Sequence, residues 1–116
     1  MKIWIGRWLM AVAGAHTLLG AIVFRDPLAT LMERGVVNEA GADPAIALAV
    51  WFLLFGFALF IGGLAIGALE RSHRGQLPVS LGWSLLALAV VGVTLMPMSG
   101  FWLAFPPALA IIVRRR

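Results

Sequence analysis

The chain contains neither cysteine nor tyrosine, and each absence closes off a class of chemistry. Without a thiol there is no disulfide framework, no thiolate metal or iron–sulfur site, and no cysteine nucleophile. Without tyrosine, acid–base work falls to two histidines and five carboxylates. Charge is scarce as well, at 12% of 116 residues, against about a quarter in soluble domains. No phosphate-cradling glycine loop, G-x-S-x-G, H-E-x-x-H or intramembrane carboxylate pair is present. What the chain has instead is apolar residue, 62% of it, with a mean hydropathy of +1.00. A soluble globule, a disordered tail and a secreted disulfide scaffold are thereby excluded, and the length allows one domain.

Four apolar segments lie between clusters of charge. They are Ile3–Phe24, Ala45–Leu69, Pro78–Met96 and Met98–Val113, joined by an outer loop over 25–43 and a short inner loop at Glu70–Leu77. A helix needs roughly 20 apolar residues to cross ~30 Å of hydrocarbon. The first three segments reach that length, and the fourth is marginal with Pro106-Pro107 at its centre. Two prolines remove two backbone donors, so the fourth segment is expected to be a kinked span whose freed carbonyls, near Trp102 and Leu103, bond to neighbouring helices. A re-entrant hairpin is the rival reading of that segment. A signal peptide cleaved near Ala13 or Ala15 would have a short core broken by Arg7, so the first segment reads as a retained span. The expected fold is all-α: a polytopic four-transmembrane-helix bundle forming a single membrane domain over 1–116.

Charge orients it. With the N-terminus inside, Lys2, Arg7, Arg71, Arg74, Arg114, Arg115 and Arg116 face the cytoplasm, and only Arg25 and Arg34 lie outside. Seven of nine basic residues on one side imply an N-in, C-in inner-membrane protein. The tryptophans agree, with Trp4, Trp8 and Trp83 near the inner ends and Trp51 and Trp102 near the outer ends. The sequence pI near 11.5 therefore reports topology and contact with anionic lipid, not a nucleic-acid partner.

Local punctuation refines the picture. Asp26-Pro27 and Asp43-Pro44 each read as an N-cap followed by proline at the first helical position. The second pair starts the second span. The first starts a short interfacial helix with Leu28, Leu31 and Met32 on one face and Thr30, Glu33 and Arg34 on the other, ending near Gly35. Gly6, Ala13 and Gly20 recur every seventh residue, as do Ala49, Gly56 and Gly63, and Gly63 with Gly67 forms G-x-x-x-G. Ser80 and Ser84 make a further small pair. These mark packing faces, within or between chains.

Chemistry centres on His16, the one titratable side chain deep in a span and on the small-residue face of the first helix. An ionisable residue there is a functional candidate. One reading is structural: a neutral imidazole whose ring N–H bonds a carbonyl or a serine on a neighbouring helix, for instance Ser84 or the carbonyls released by Pro106-Pro107. A second is a binding site for a lipophilic small molecule or cofactor, with His16 and Ser84 as its residues; one axial histidine suffices for haem. A third is proton relay. His16 is the only candidate catalytic residue, and whether the protein is an enzyme stays open. Arg7 snorkels to headgroups or pairs with Glu70. The outer acids Asp26, Glu33, Glu39 and Asp43 match no metal motif.

The first span with Gly6-Arg7-Trp8, Gly14, His16 and Gly20, the Trp51–Gly56 segment and the arginine tail together resemble an uncharacterised family of small bacterial four-helix membrane proteins, catalogued as a domain of unknown function. The size and span count are similar to DoxX-like proteins. The resemblance implies a bacterial inner membrane and four helices, and no activity. Small multidrug resistance transporters are similar in length and span count, but they depend on a first-span carboxylate that this chain lacks. The functional expectation is a module that binds a lipophilic small molecule beside His16. The alternatives are a proton-coupled transporter and a structural partner subunit of a larger membrane complex. So small a chain has little room for an enclosed site, which favours a homo-oligomer of unspecified order.

Overall fold

A computed structural model describes residues 3–36, 41, 43–74, 76–97 and 100–114. The expectations that involve Lys2, Glu39, Met98, Arg115 and Arg116 lie outside these residues. Among the described residues the chain is all-α, with five helices and no strand. The helices are α1 (Ile5–Val23), α2 (Arg25–Arg34), α3 (Pro44–Ser72), α4 (Val79–Leu95) and α5 (Phe105–Arg114), with a 3-10 turn at Gly100–Ala104 before α5. Two of them, α1 and α3, are long and apolar enough to cross a membrane. The described residues divide into two compact units, one formed by 1–12 and 61–116 and the other by 13–60.

In the first unit, the start of α1 crosses the end of α3 at glycine. A methyl group on Gly6 would collide with the Gly67 backbone and sit 2.7 Å from the Gly63 carbonyl oxygen. One on Gly63 would sit 2.8 Å from Met10 Cγ and 3.0 Å from the Gly6 oxygen. The G-x-x-x-G of α3 is therefore used within this chain. Close backbone approach suits a helix pair that gains little from burying apolar surface when its surroundings are apolar too.

The packing of α4 departs from the serine pair. Its buried face is Gly82, Ala89 and Gly92. A methyl on Gly82 would lie 2.9 Å from Ile111 and Ile112 of α5, and one on Gly92 would strike the Phe101 ring in the 3-10 turn. Ser80 and Ser84 are exposed, and the Ser84 hydroxyl donates to the Ser80 carbonyl at 2.8 Å. A hydroxyl can satisfy itself on its own helix, whereas the glycines offer no side chain to hold a neighbour away.

In the last segment a 3-10 turn runs directly into α5, with Pro106 and Pro107 in the first turn of α5. In that turn the missing N–H groups have no intrahelical acceptor to serve, so both prolines fit without breaking a ladder. The Leu103 carbonyl, four residues before Pro107, accepts the Trp8 indole N–H at 2.7 Å. That is the expected rescue of a freed carbonyl by a neighbouring helix.

In the second unit, α1 passes into α2 with only Phe24 between them. Phe24 N–H donates to Gly20 O at 2.9 Å, and Leu28 N–H donates to Phe24 O at 3.0 Å. One ladder thus ends at Phe24 and the next begins from its carbonyl, so Phe24 stands at the N-cap and Asp26 lies inside the first turn instead of capping it. Pro27 is accommodated at the third helical position, where no intrahelical acceptor is waiting. Gly35 ends α2 at φ 100° with its N–H on Leu31 O, a left-handed C-terminal position that favours glycine. Asp43 caps α3: its Oδ1 accepts the Ala45 N–H at 3.0 Å, and its carbonyl accepts Ala47 N–H at 2.9 Å.

The glycine crossing yields a direct comparison. Gly6→Ala should lower stability in detergent by about 1–3 kcal/mol, because only backbone stands in the way of the new methyl. Gly62→Ala, which meets nothing within 4 Å, should leave the thermal midpoint unchanged or raise it slightly. Equal midpoints for the two variants would contradict the crossing.

Candidate functional site

His16 lies in the second unit on the face of α1 that meets α3. Its Nε2 is 2.8 Å from the Phe52 carbonyl oxygen. An acceptor there makes Nε2 the protonated nitrogen and the donor. The ring is stacked on Phe52, with centroids 3.8 Å apart and planes 12° from parallel, and it meets Phe55 edge-on at 5.3 Å. Gly56 makes the approach feasible. A Cβ at Gly56 would be 2.5 Å from Thr17 Oγ1 and 3.0 Å from His16 Cδ2. Four residues on from Phe52, the bare glycine lets the imidazole reach the backbone of α3.

A neighbouring helix thus answers His16 with a carbonyl, that of Phe52, in line with the structural reading of this residue. Ser84 is turned to Ser80 O on its own helix. The geometry commits Nε2 of His16 and stacks the ring face against Phe52, which leaves the haem reading without geometric support.

Gly56 and Thr17 also line an open groove of about 640 Å³. Gly14, Ala21 and Gly56 form its low floor, and Leu18, Leu54, Phe57 and Phe60 are among the side chains that wall it. Leu18 and Phe57 are about two-thirds exposed, at 64% and 66%. The volume falls in the range of small-molecule sites. It differs from most such sites in lacking convergent polar groups: Thr17 is the one polar side chain in its lining.

Glu70, in the first unit, is the polar residue the sequence reading undervalued. It is fully buried, at 0% exposure. Its Oε1 accepts the Gly6 N–H at 2.7 Å and its Oε2 the Ile5 N–H at 3.2 Å. Arg114 Nη1 also donates to Oε2 at 3.2 Å, and its guanidinium stands 5.7 Å from the Trp4 ring centre. A carboxylate at a helix N-terminus satisfies otherwise orphaned donors and opposes the positive end of the dipole. The partner of Glu70 is Arg114, not Arg7, which is exposed. A signal for this was available: Gly63, Gly67 and Glu70 follow i, i+4, i+7 spacing, which puts the acid on the packing stripe of α3.

Two outcomes follow. Arg114→Ala leaves a buried carboxylate short of a donor and should cost about 3 kcal/mol, whereas Arg7→Ala should change stability by less than about 0.5 kcal/mol. Denaturant titration in micelles measures both, and the reverse order would refute the pairing. Gly56→Ala and His16→Leu should each destabilise, and the double variant should fall short of the summed loss by about 1 kcal/mol. Strict additivity would mean that Gly56 does not serve the His16 bond.

Neither the curated proteins nor the solved structures contain a match to this chain. A family model does match it, over residues 1–116. The chain belongs to DUF6463, a family of unknown function.

Proposed function

We propose that this is a small multi-pass protein of a bacterial inner membrane that takes a lipophilic chain, such as an acyl or polyisoprenoid tail, into the groove of its second unit. The groove carries the reading. It is lined by Gly14–Ala21 in the second half of α1 and by Leu53–Phe60 around the middle of α3, so a bilayer around them would present methylene and methyl groups to it. With a nearly all-apolar lining, it has no group to select a polar head. His16 is then a positioning residue: from behind Gly56 it holds α1 to α3 and so sets the width of the groove.

Four crossings, with both ends inside, are part of the same proposal. Ile5, Glu70 and Arg114 meet in the first unit, as the start of a first crossing and the ends of a second and a fourth would. By their rise, the 17 residues of α4 and the 3-10 turn plus α5 each cover about 25 Å. Their equal reach suits a packed antiparallel pair in a slightly thinned bilayer. The charge bias of Arg7, Arg71, Arg74 and Arg114 against Arg25 and Arg34 supports the orientation.

A structural partner role is favoured by the small residues on the groove floor, which is how membrane helices admit one another. The groove follows only about 10 Å of each helix, a better match to a flexible tail than to a helix backbone. Gly14 offers the test, because a side chain there meets nothing within 4 Å and should fill the groove without disturbing the fold. Native mass spectrometry of protein released from bilayers should detect a lipophilic adduct that Gly14→Phe reduces about tenfold while the thermal midpoint holds. An undiminished adduct would refute the groove as its site. Loss of a co-purifying protein, with no lipid change, would favour the partner reading.

A further inference from the structure

In the first unit the sole described carboxylate is Glu70, and it is shut from solvent on Ile5, Gly6 and Arg114. It therefore neutralises nothing at the surface. At the same end stand three exposed arginines, Arg7, Arg71 and Arg74, with no ion pair among the described residues. Arg7 directly follows Gly6 at the glycine crossing. The Arg71 guanidinium folds back along α3, so that Nη1 lies 3.4 Å from where a Cβ on Gly67 would stand. Its charge is thus held beside the apolar crossing instead of extending beyond the helix end. Arg74 sits in the turn that closes α3, at φ 54°. Trp4 and Trp8 pack edge to face at this end, 5.9 Å apart, and tryptophans of this kind occupy headgroup depth.

We infer that this end of the first unit is a docking surface for the headgroup phosphates of anionic phospholipids, with Arg7, Arg71 and Arg74 as its donors. The inference rests on the membrane placement proposed above. A guanidinium matches a phosphate with two parallel N–H donors, and one that folds back beside apolar backbone meets that phosphate at the edge of the hydrocarbon. A soluble polyanion approaching from water has no need of that fold-back. The burial of Glu70 adds to the selectivity, since it removes the one acid that would repel a phosphate or compete for the arginines.

The full chain is placed in bilayers that mix phosphatidylglycerol with phosphatidylcholine, and the lipids retained on release are counted by native mass spectrometry. The protein should enrich phosphatidylglycerol over its bilayer fraction. Each Arg→Gln change at Arg7, Arg71 or Arg74 should lower that enrichment about fivefold, equivalent to ~1 kcal/mol. Arg25→Gln, on α2, should leave it unchanged. Absence of enrichment in a chain that stays in the bilayer on carbonate washing overturns the docking surface alone. A chain that washes out overturns the membrane placement as well. Equal loss from Arg25→Gln overturns the assignment to these three arginines. If inorganic phosphate abolishes the enrichment at an ionic strength matched with chloride, the surface binds free phosphate and lipid docking is overturned.

Discussion

A carboxylate with no exposure to solvent must find its donors inside the protein, and the first unit is organised around that demand. Glu70 finds them in the first two N–H groups of α1 and in Arg114 at the end of α5. Three chain segments far apart in sequence are thereby held at one end. In an apolar solvent, burying leucine against leucine gains little, so directional bonds and close packing must do more of the work of association. The glycines at positions 6, 63 and 67 permit the approach, and the carboxylate one turn further on makes it specific. The charge also opposes the positive end of the α1 dipole, so one side chain serves as cap, counter-ion and cross-link.

The second unit solves the same problem with a neutral group. His16 reaches the Phe52 carbonyl across a helix contact that Gly56 keeps thin. A second bond to a backbone oxygen already in the helix ladder uses a spare lone pair and costs the helix nothing. The imidazole lies flat on Phe52 and takes no part in the lining of the groove, which the neighbouring Gly14, Thr17 and Gly56 share. On the function proposed above, the position that looked most like a reactive centre is a spacer, and the proposed binding surface is the groove beside it.

The helices were largely legible in the sequence, and the reasons are local. Apolar length marked α1 and α3, Asp43-Pro44 marked a start, and Gly35 marked an end. The heptad spacing of small residues marked the packing faces of α1 and α3, though not that the two faces meet each other within one chain. Asp26-Pro27 marked a helix start but misplaced its cap, which is Phe24. Pro106-Pro107 falls in a first turn, where proline is tolerated. For Glu70, sequence offered only Arg7 as a partner. Its burial depends on Arg114, 44 residues away in sequence, and no local pattern encodes that meeting. The Ser80–Ser84 pair failed for a related reason: small size predicts a packing face only where a partner is on the same side.

Side-resolved labelling tests the account most directly. With no native cysteine, single replacements are clean probes. In intact spheroplasts, a membrane-impermeant maleimide should modify Glu33→Cys at once and Arg74→Cys only after permeabilisation. Labelling of both from the same side, or of Arg74→Cys alone, would contradict a chain that crosses the membrane with its Glu70 end inside.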